Sequence, residues 1–139
     1  MTPYPEDFLK AVDDLIDNWE GTTFTNTKGD AGHGTKFGIS STSYPHVDIP
    51  NLTREGAEAI YFRDFWNYPG MDSIVDAAFR AKVFNMAVLM GQGTALHLYH
   101  ASSSIEDYRQ ICKRHYDAIV ASHPEDVKFQ HGWDRRAMA

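Results

Sequence analysis

Between Gly21 and Pro50 the chain loses the 3.6-residue apolar repeat that governs the sequence on either side. That interruption constrains the fold more than any other feature. Helical spacing must build the body, and this one segment must supply whatever β structure exists. Ahead of it, Phe8, Ala11, Val12, Leu15, Ile16 and Trp19 keep helical spacing, with Pro5 in the first turn and Gly21 as the stop. Within it, Thr22, Thr23, Phe24, Thr25 and Thr27 favour extended backbone and "KGDAGHG" reads as turns. "TKFGIS" is extended again, and "STSYPHVDIPN" is a loop broken by two prolines. The expectation is a small hairpin or irregular flap.

Helical spacing resumes at Thr53, an N-cap for "LTREGAEAIYFRDFW", with Ala57, Ile60, Tyr61 and Phe65 on one face. "YPGM" separates it from a third helix over about 72–90, whose end "VFNMAVLM" is apolar all round and so central. A short helix over 94–100 follows. Ser103 and Glu106 have the spacing of a capping box, opening a long helix with Ile105, Tyr108, Ile111, Cys112, His115, Tyr116 and Ile119 inward. Pro124 opens a last helix carrying Phe129 and Trp133, the tryptophan in the core. No repeat, low-complexity stretch or linker divides the 139 residues, so a single domain over 1–139 is expected. The fold class is mainly α within α+β: a helical bundle with one small β excursion after the first helix.

The net charge of -6, without a basic stripe, argues against a nucleic-acid partner. The single cysteine, Cys112, has no internal disulfide partner and lies on an apolar helix face, where packing is the simpler use for it. No apolar run approaches the roughly 20 residues of a membrane span, and "MTPYPEDFLK" lacks an apolar signal core. Synthesis in the cytoplasm without membrane insertion is the expectation, with a separate route outward if the protein acts outside. Aromatic residues make up 13 % of the chain, which suits a packed core or a cleft that stacks sugar rings.

Glu20 raises the question of chemistry, because it stands at the C-terminal end of the first helix. The negative end of the helix dipole favours a protonated carboxyl there, and a protonated acid is what glycosidic cleavage needs as proton donor. Asp30, on the glycine-flanked loop, is the second carboxylate such chemistry requires, and Thr35 has a hydroxyl able to hold a water. The plainer alternative is a solvated Glu20 and a turn-forming Asp30. Phe24, Trp66 and Tyr68 are candidates for a sugar groove, with core packing an equal reading for the latter two. His97 and His100 sit three apart without a third ligand at suitable spacing, so no metal site is read there. Gly29, Gly32 and Gly34 lack the following Lys-Ser/Thr of a phosphate loop.

"WEGTTFTNTKGDAGHGTKFGIS", "LTREGAEAIYFRDFW", "AFRAKVFNMAVLMGQGTAL" and the closing "FQHGWDRR" occur in that order. Their succession resembles the lysozyme-like glycoside hydrolase family 108 of phage endolysins and bacterial muramidases. The resemblance implies a lysozyme-like fold that hydrolyses the β-1,4 glycan strands of peptidoglycan. It makes Glu20 the catalytic acid, and aligns Asp30 and Thr35 with the aspartate and threonine that handle the nucleophilic water. Two departures stand out: "EGTTF" replaces the family's E-G-G-Y, with one more residue before Asp30, and Asn85 and Leu89 stand where an aspartate and an asparagine are usual. The resemblance implies no cofactor or metal, peptidoglycan as the partner, a monomer, and action on the wall after holin-type release or dedicated export. Two other readings fit the same residues: a lysozyme-like protein that binds peptidoglycan without cutting it, and a lytic transglycosylase using Glu20 alone.

Overall fold

The computed structural model describes residues 4–22, 24–25 and 34–139. Its described residues form six α-helices and one two-stranded antiparallel sheet, so the mainly α expectation with a small hairpin holds. The chain divides into two compact units, Met1–Ser73 and Ile74–Ala139. Among the described residues, no helix is long and apolar enough to cross a membrane.

In the first unit, α1 (Glu6–Leu15) buries Phe8, Ala11, Val12 and Leu15, the stripe its spacing dictates. It then widens into a π turn over Ile16–Glu20, where the Gly21 N–H reaches back five residues to the Ile16 carbonyl at 2.7 Å. After it come β1 (Thr35–Lys36) and β2 (Ile39–Ser40), paired Thr35 with Ser40 and Lys36 with Ile39. Helix α2 (Arg54–Tyr61) starts where the Thr53 hydroxyl accepts the Gly56 N–H at 3.1 Å, as expected of that cap. Its guanidinium at Arg54 ties the helix to α1 through Asp13 at 2.9 Å and Asp17 at 2.8 Å, and that ion pair lowers the Asp17 carboxyl below its usual range.

Helix α2 also ends in a π turn, Phe62–Trp66, with the Asn67 N–H on the Phe62 carbonyl at 3.1 Å. The wider turn delays the inward face by a residue. Trp66 is therefore fully buried behind Ile60 and Tyr61, while Phe65, expected on that face, is half-buried. Phe8 of α1 meets Phe62 at 4.9 Å and Trp66 at 5.6 Å between ring centroids, which locks the two helices together.

The second unit holds α3 (Ala77–Met90), α4 (Gln92–His100), α5 (Ile105–Ser122) and α6 (Val127–Met138). Four boundaries differ from the sequence reading: α4 begins at Gln92 rather than 94, α6 at Val127 after a 3-10 turn over Pro124–Asp126, and α3 and α5 as follows. Helix α3 begins five residues later than 72 because the Asp76 carboxylate caps the Phe79 N–H, while Asp72 lies in a separate 3-10 turn. The cap of α5 is Ser104, not Ser103: its hydroxyl accepts the Asp107 N–H at 3.0 Å, and Asp107 reaches back to Ser103. The buried stripe of α5 is Tyr108, Cys112, Tyr116 and Val120, with Ile105, Ile111, His115 and Ile119 half-buried beside it. Trp133 is half-buried rather than fully in the core, stacked on Tyr116 at 4.9 Å. Cys112 is buried, as expected, and burial pushes its thiol up.

Helix α3 is buried along Lys82–Ala87, in keeping with its central reading, yet that stretch includes two polar side chains. Both are spent on the end of α6. The Lys82 amine donates to the Arg136 carbonyl at 2.8 Å, and the Arg136 guanidinium donates to Asn85 Oδ1 at 2.7 Å. Arg109 adds a bond to the Ala139 carbonyl at 2.9 Å, so last-turn carbonyls that a helix cannot satisfy itself find donors.

Burial lowers Lys82 to about 8. The folded chain thus holds this proton less tightly than the unfolded one, and stability from this group is present above the unfolded value and lost as pH falls through about 8. Lys82→Met is expected to flatten that dependence. Relative to the variant, the parent should gain on the order of 1–2 kcal/mol between pH 7.5 and 9.5. Paired denaturant titrations check this; a parent-minus-variant difference constant with pH would refute it. Taking the difference removes most of the contribution of buried Cys112, Tyr108 and Tyr116, all raised by burial and all acting in the opposite direction above pH 9.

Candidate active site

Glu20 ends the π turn of α1, half-buried, and Gly21 leaves at φ 82°, a left-handed value that lets the chain turn away at once. Single π turns inside helices recur at functional sites, because the extra residue re-aims the side chains that follow it. Here the re-aimed residue is the candidate acid.

Opposite it is the hairpin turn. Phe37 and Gly38 connect β1 to β2 with φ of 54° and 79°, so both central residues are left-handed, as a type I′ turn requires. Glycine takes that conformation without cost; phenylalanine does not. The Phe37 carbonyl receives a compensating hydrogen bond from the Tyr61 hydroxyl of α2 at 2.7 Å, in a buried position. Three parts of the chain then meet at one point. A methyl group on Gly38 would lie 2.5 Å from the Tyr61 hydroxyl oxygen, and 2.8 and 2.9 Å from Cγ and Cβ of Glu20. The bare backbone of the turn is the surface against which the Glu20 side chain rests.

Thr35 opens β1, half-buried, and exchanges two N–H···O bonds with Thr25, both 2.8 Å. That bridge brings the strand beginning at Thr35 beside the segment leaving Glu20. Phe24 lies over Gly34, where a Cβ would be 2.5 Å from its ring, yet it remains 36 % exposed. It is thus an aromatic surface held in place by backbone, as a sugar-stacking side chain has to be. Asp30 lies outside the described residues.

The other aromatic candidates separate. Tyr68 is half-buried, in the turn after α2. Trp66 is 1 % exposed and packed against Phe8, so its ring offers no face to a sugar and its core reading is the one the geometry favours. His97 and His100 are exposed on α4. Asn85, one of the two departures from the family pattern, is occupied by Arg136.

The sequence by itself does not mark Phe37, Gly38 and Tyr61 as site residues. Tyr61 was visible only as a core position, and "FG" between two short extended stretches was the sole sign of the tight turn that meets it.

Residues 14–91 match the family model described as Glycosyl hydrolase 108. The matched stretch contains Glu20, the hairpin and α2, whereas "FQHGWDRR" lies beyond it. No curated protein and no solved structure matches the chain.

Proposed function

The chain belongs to the glycosyl hydrolase 108 family and is a glycoside hydrolase acting on a glycan, and from that premise we propose that it is a muramidase cleaving the β-1,4 bonds of peptidoglycan. In this reading Glu20 protonates the leaving glycosidic oxygen, Asp30 activates a water on the opposite face of the sugar, and Thr35 helps to hold that water. Phe24, and Tyr68 with it, contact the sugar rings. The observation that carries the reading is the seating of Glu20: a carboxyl at the end of the first helix, braced by the hairpin turn and inside the family-matched stretch. A monomer acting on the wall as a phage endolysin, or as a bacterial enzyme exported by dedicated machinery, fits this chemistry. The proposed catalysis uses carboxyl groups and water alone, with no cofactor.

Digestion of purified peptidoglycan tests the proposal. Reducing muramic ends are expected, with inversion at the anomeric carbon, because Asp30 on a glycine-flanked loop with Thr35 nearby suits a water-mediated step. A water-mediated, inverting scheme calls for the two carboxyl groups to lie roughly 6.5–9.5 Å apart, against about 5–5.5 Å for direct attack. NMR of the product before mutarotation reads the outcome. Retained β-anomer would refute the water-mediated scheme, anhydro-sugar ends would make the protein a transglycosylase, and pull-down without cleavage would make it a binding protein. Asp30→Ala with full activity would remove Asp30 from the site.

A further inference from the structure

We infer that Tyr61 is a positioning residue for the acid, acting through the hairpin turn: its hydroxyl holds the Phe37 carbonyl so that the Gly38 backbone braces the Glu20 side chain. This rests on the reading of Glu20 as the acid, and extends it to residues that touch neither sugar nor water.

Three observations converge. Phe37 sits at φ 54°, where a bulky side chain is disfavoured, and such outliers persist only where their surroundings over-determine them. What over-determines this one is the buried 2.7 Å bond from Tyr61, whose ring is itself fully buried on α2. The strained turn in turn places Gly38 so close to Glu20 that even a methyl group does not fit between them. A hairpin needing only to be stable would be served by an ordinary left-handed-tolerant residue at 37. Instead, a strained turn, a buried hydroxyl and a bare glycine are lined up behind one carboxyl. Loss of the hydroxyl frees the turn, and the acid loses the wall that fixes its direction.

Proton transfer depends steeply on such direction, since a misplacement of about 1 Å costs on the order of 10²-fold. Tyr61→Phe keeps the buried ring and removes only the donor. It is expected to lower kcat on soluble peptidoglycan fragments by roughly ten- to a hundredfold with KM unchanged, and to move the alkaline limb of the pH–rate profile, where the proton donor is lost. Gly38→Ala pushes directly on Glu20 and is expected to lose at least as much. Assays run below each variant's melting transition, with thermal melts alongside. Parental kcat and pH profile in either folded variant would overturn the proposal, and Gly38→Ala decides alone if Tyr61→Phe does not fold.

A readout independent of activity is the 13C resonance of the Glu20 carboxyl, assigned by its loss in Glu20→Gln. Its titration should change in Tyr61→Phe; an unchanged titration overturns the proposal. Glu20→Gln also separates the two levels of the argument. If that variant cleaves normally, the acid assignment fails and the positioning role falls with it. If it is inactive while Tyr61→Phe is parental, only the positioning role fails.

Discussion

Glu20→Gln is expected to abolish detectable lysis of peptidoglycan while leaving the melting temperature within a degree or two of the parent. Removing a proton donor from a glycosidic cleavage costs roughly 10²–10⁴-fold or more. Glutamine keeps the length and planar end of the side chain but has no acidic proton to give. The contact with Gly38 is made by Cβ and Cγ, which glutamine retains, so the hairpin keeps its neighbour. The half-buried position leaves the amide access to water. The pairing of lost activity with a retained fold is what distinguishes a catalytic group from a packing one. Turbidity loss and calorimetry on the same sample measure both. Near-parental lysis by a folded variant would remove Glu20 from the mechanism.

That Glu20 was readable from the sequence and its brace was not has a physical cause. A carboxyl at the end of a periodic apolar stripe, followed by glycine, is a local pattern, and local patterns survive translation into structure. So did the Thr53 cap and the apolar stretch of α3, because spacing and capping chemistry act within one helix. The brace is assembled from residues 17 and more positions away from Glu20, and its decisive feature is the absence of a side chain at Gly38. No period or composition announces that. The π turns were also hidden. A 3.6-residue repeat puts Phe65 on the inner face of α2, and only the five-residue hydrogen bond at Asn67 moves the register on to Trp66. The shifted cap of α5 is a smaller case: two adjacent serines and two adjacent acids offer two boxes, and the backbone chose the second.

Trp66→Ala is expected to destabilise the first unit by about 3–5 kcal/mol, the range for truncating a buried tryptophan. Its ring is 1 % exposed and meets Phe8 edge-on at 5.6 Å, so alanine would leave a cavity between α1 and the end of α2. Against a typical total stability of about 5–15 kcal/mol, that loss is large enough to lower the melting temperature by about 10 °C or more. The sugar-groove reading makes the opposite forecast. A groove-lining tryptophan would leave the melting temperature nearly unchanged, and its loss would appear as a raised KM. Trp66→Phe separates the two further. In the core, phenylalanine refills most of the volume and restores most of the stability; in a groove, it would keep a stacking face and restore binding. Thermal melts of both variants, set beside their KM values, decide between the readings. An unchanged melt with weakened substrate binding in Trp66→Ala would return this residue to the site. The π turn would then be an incidental bend rather than the device that turns Trp66 inward and, through the same packing of α2 on α1, supports the helix end that carries Glu20.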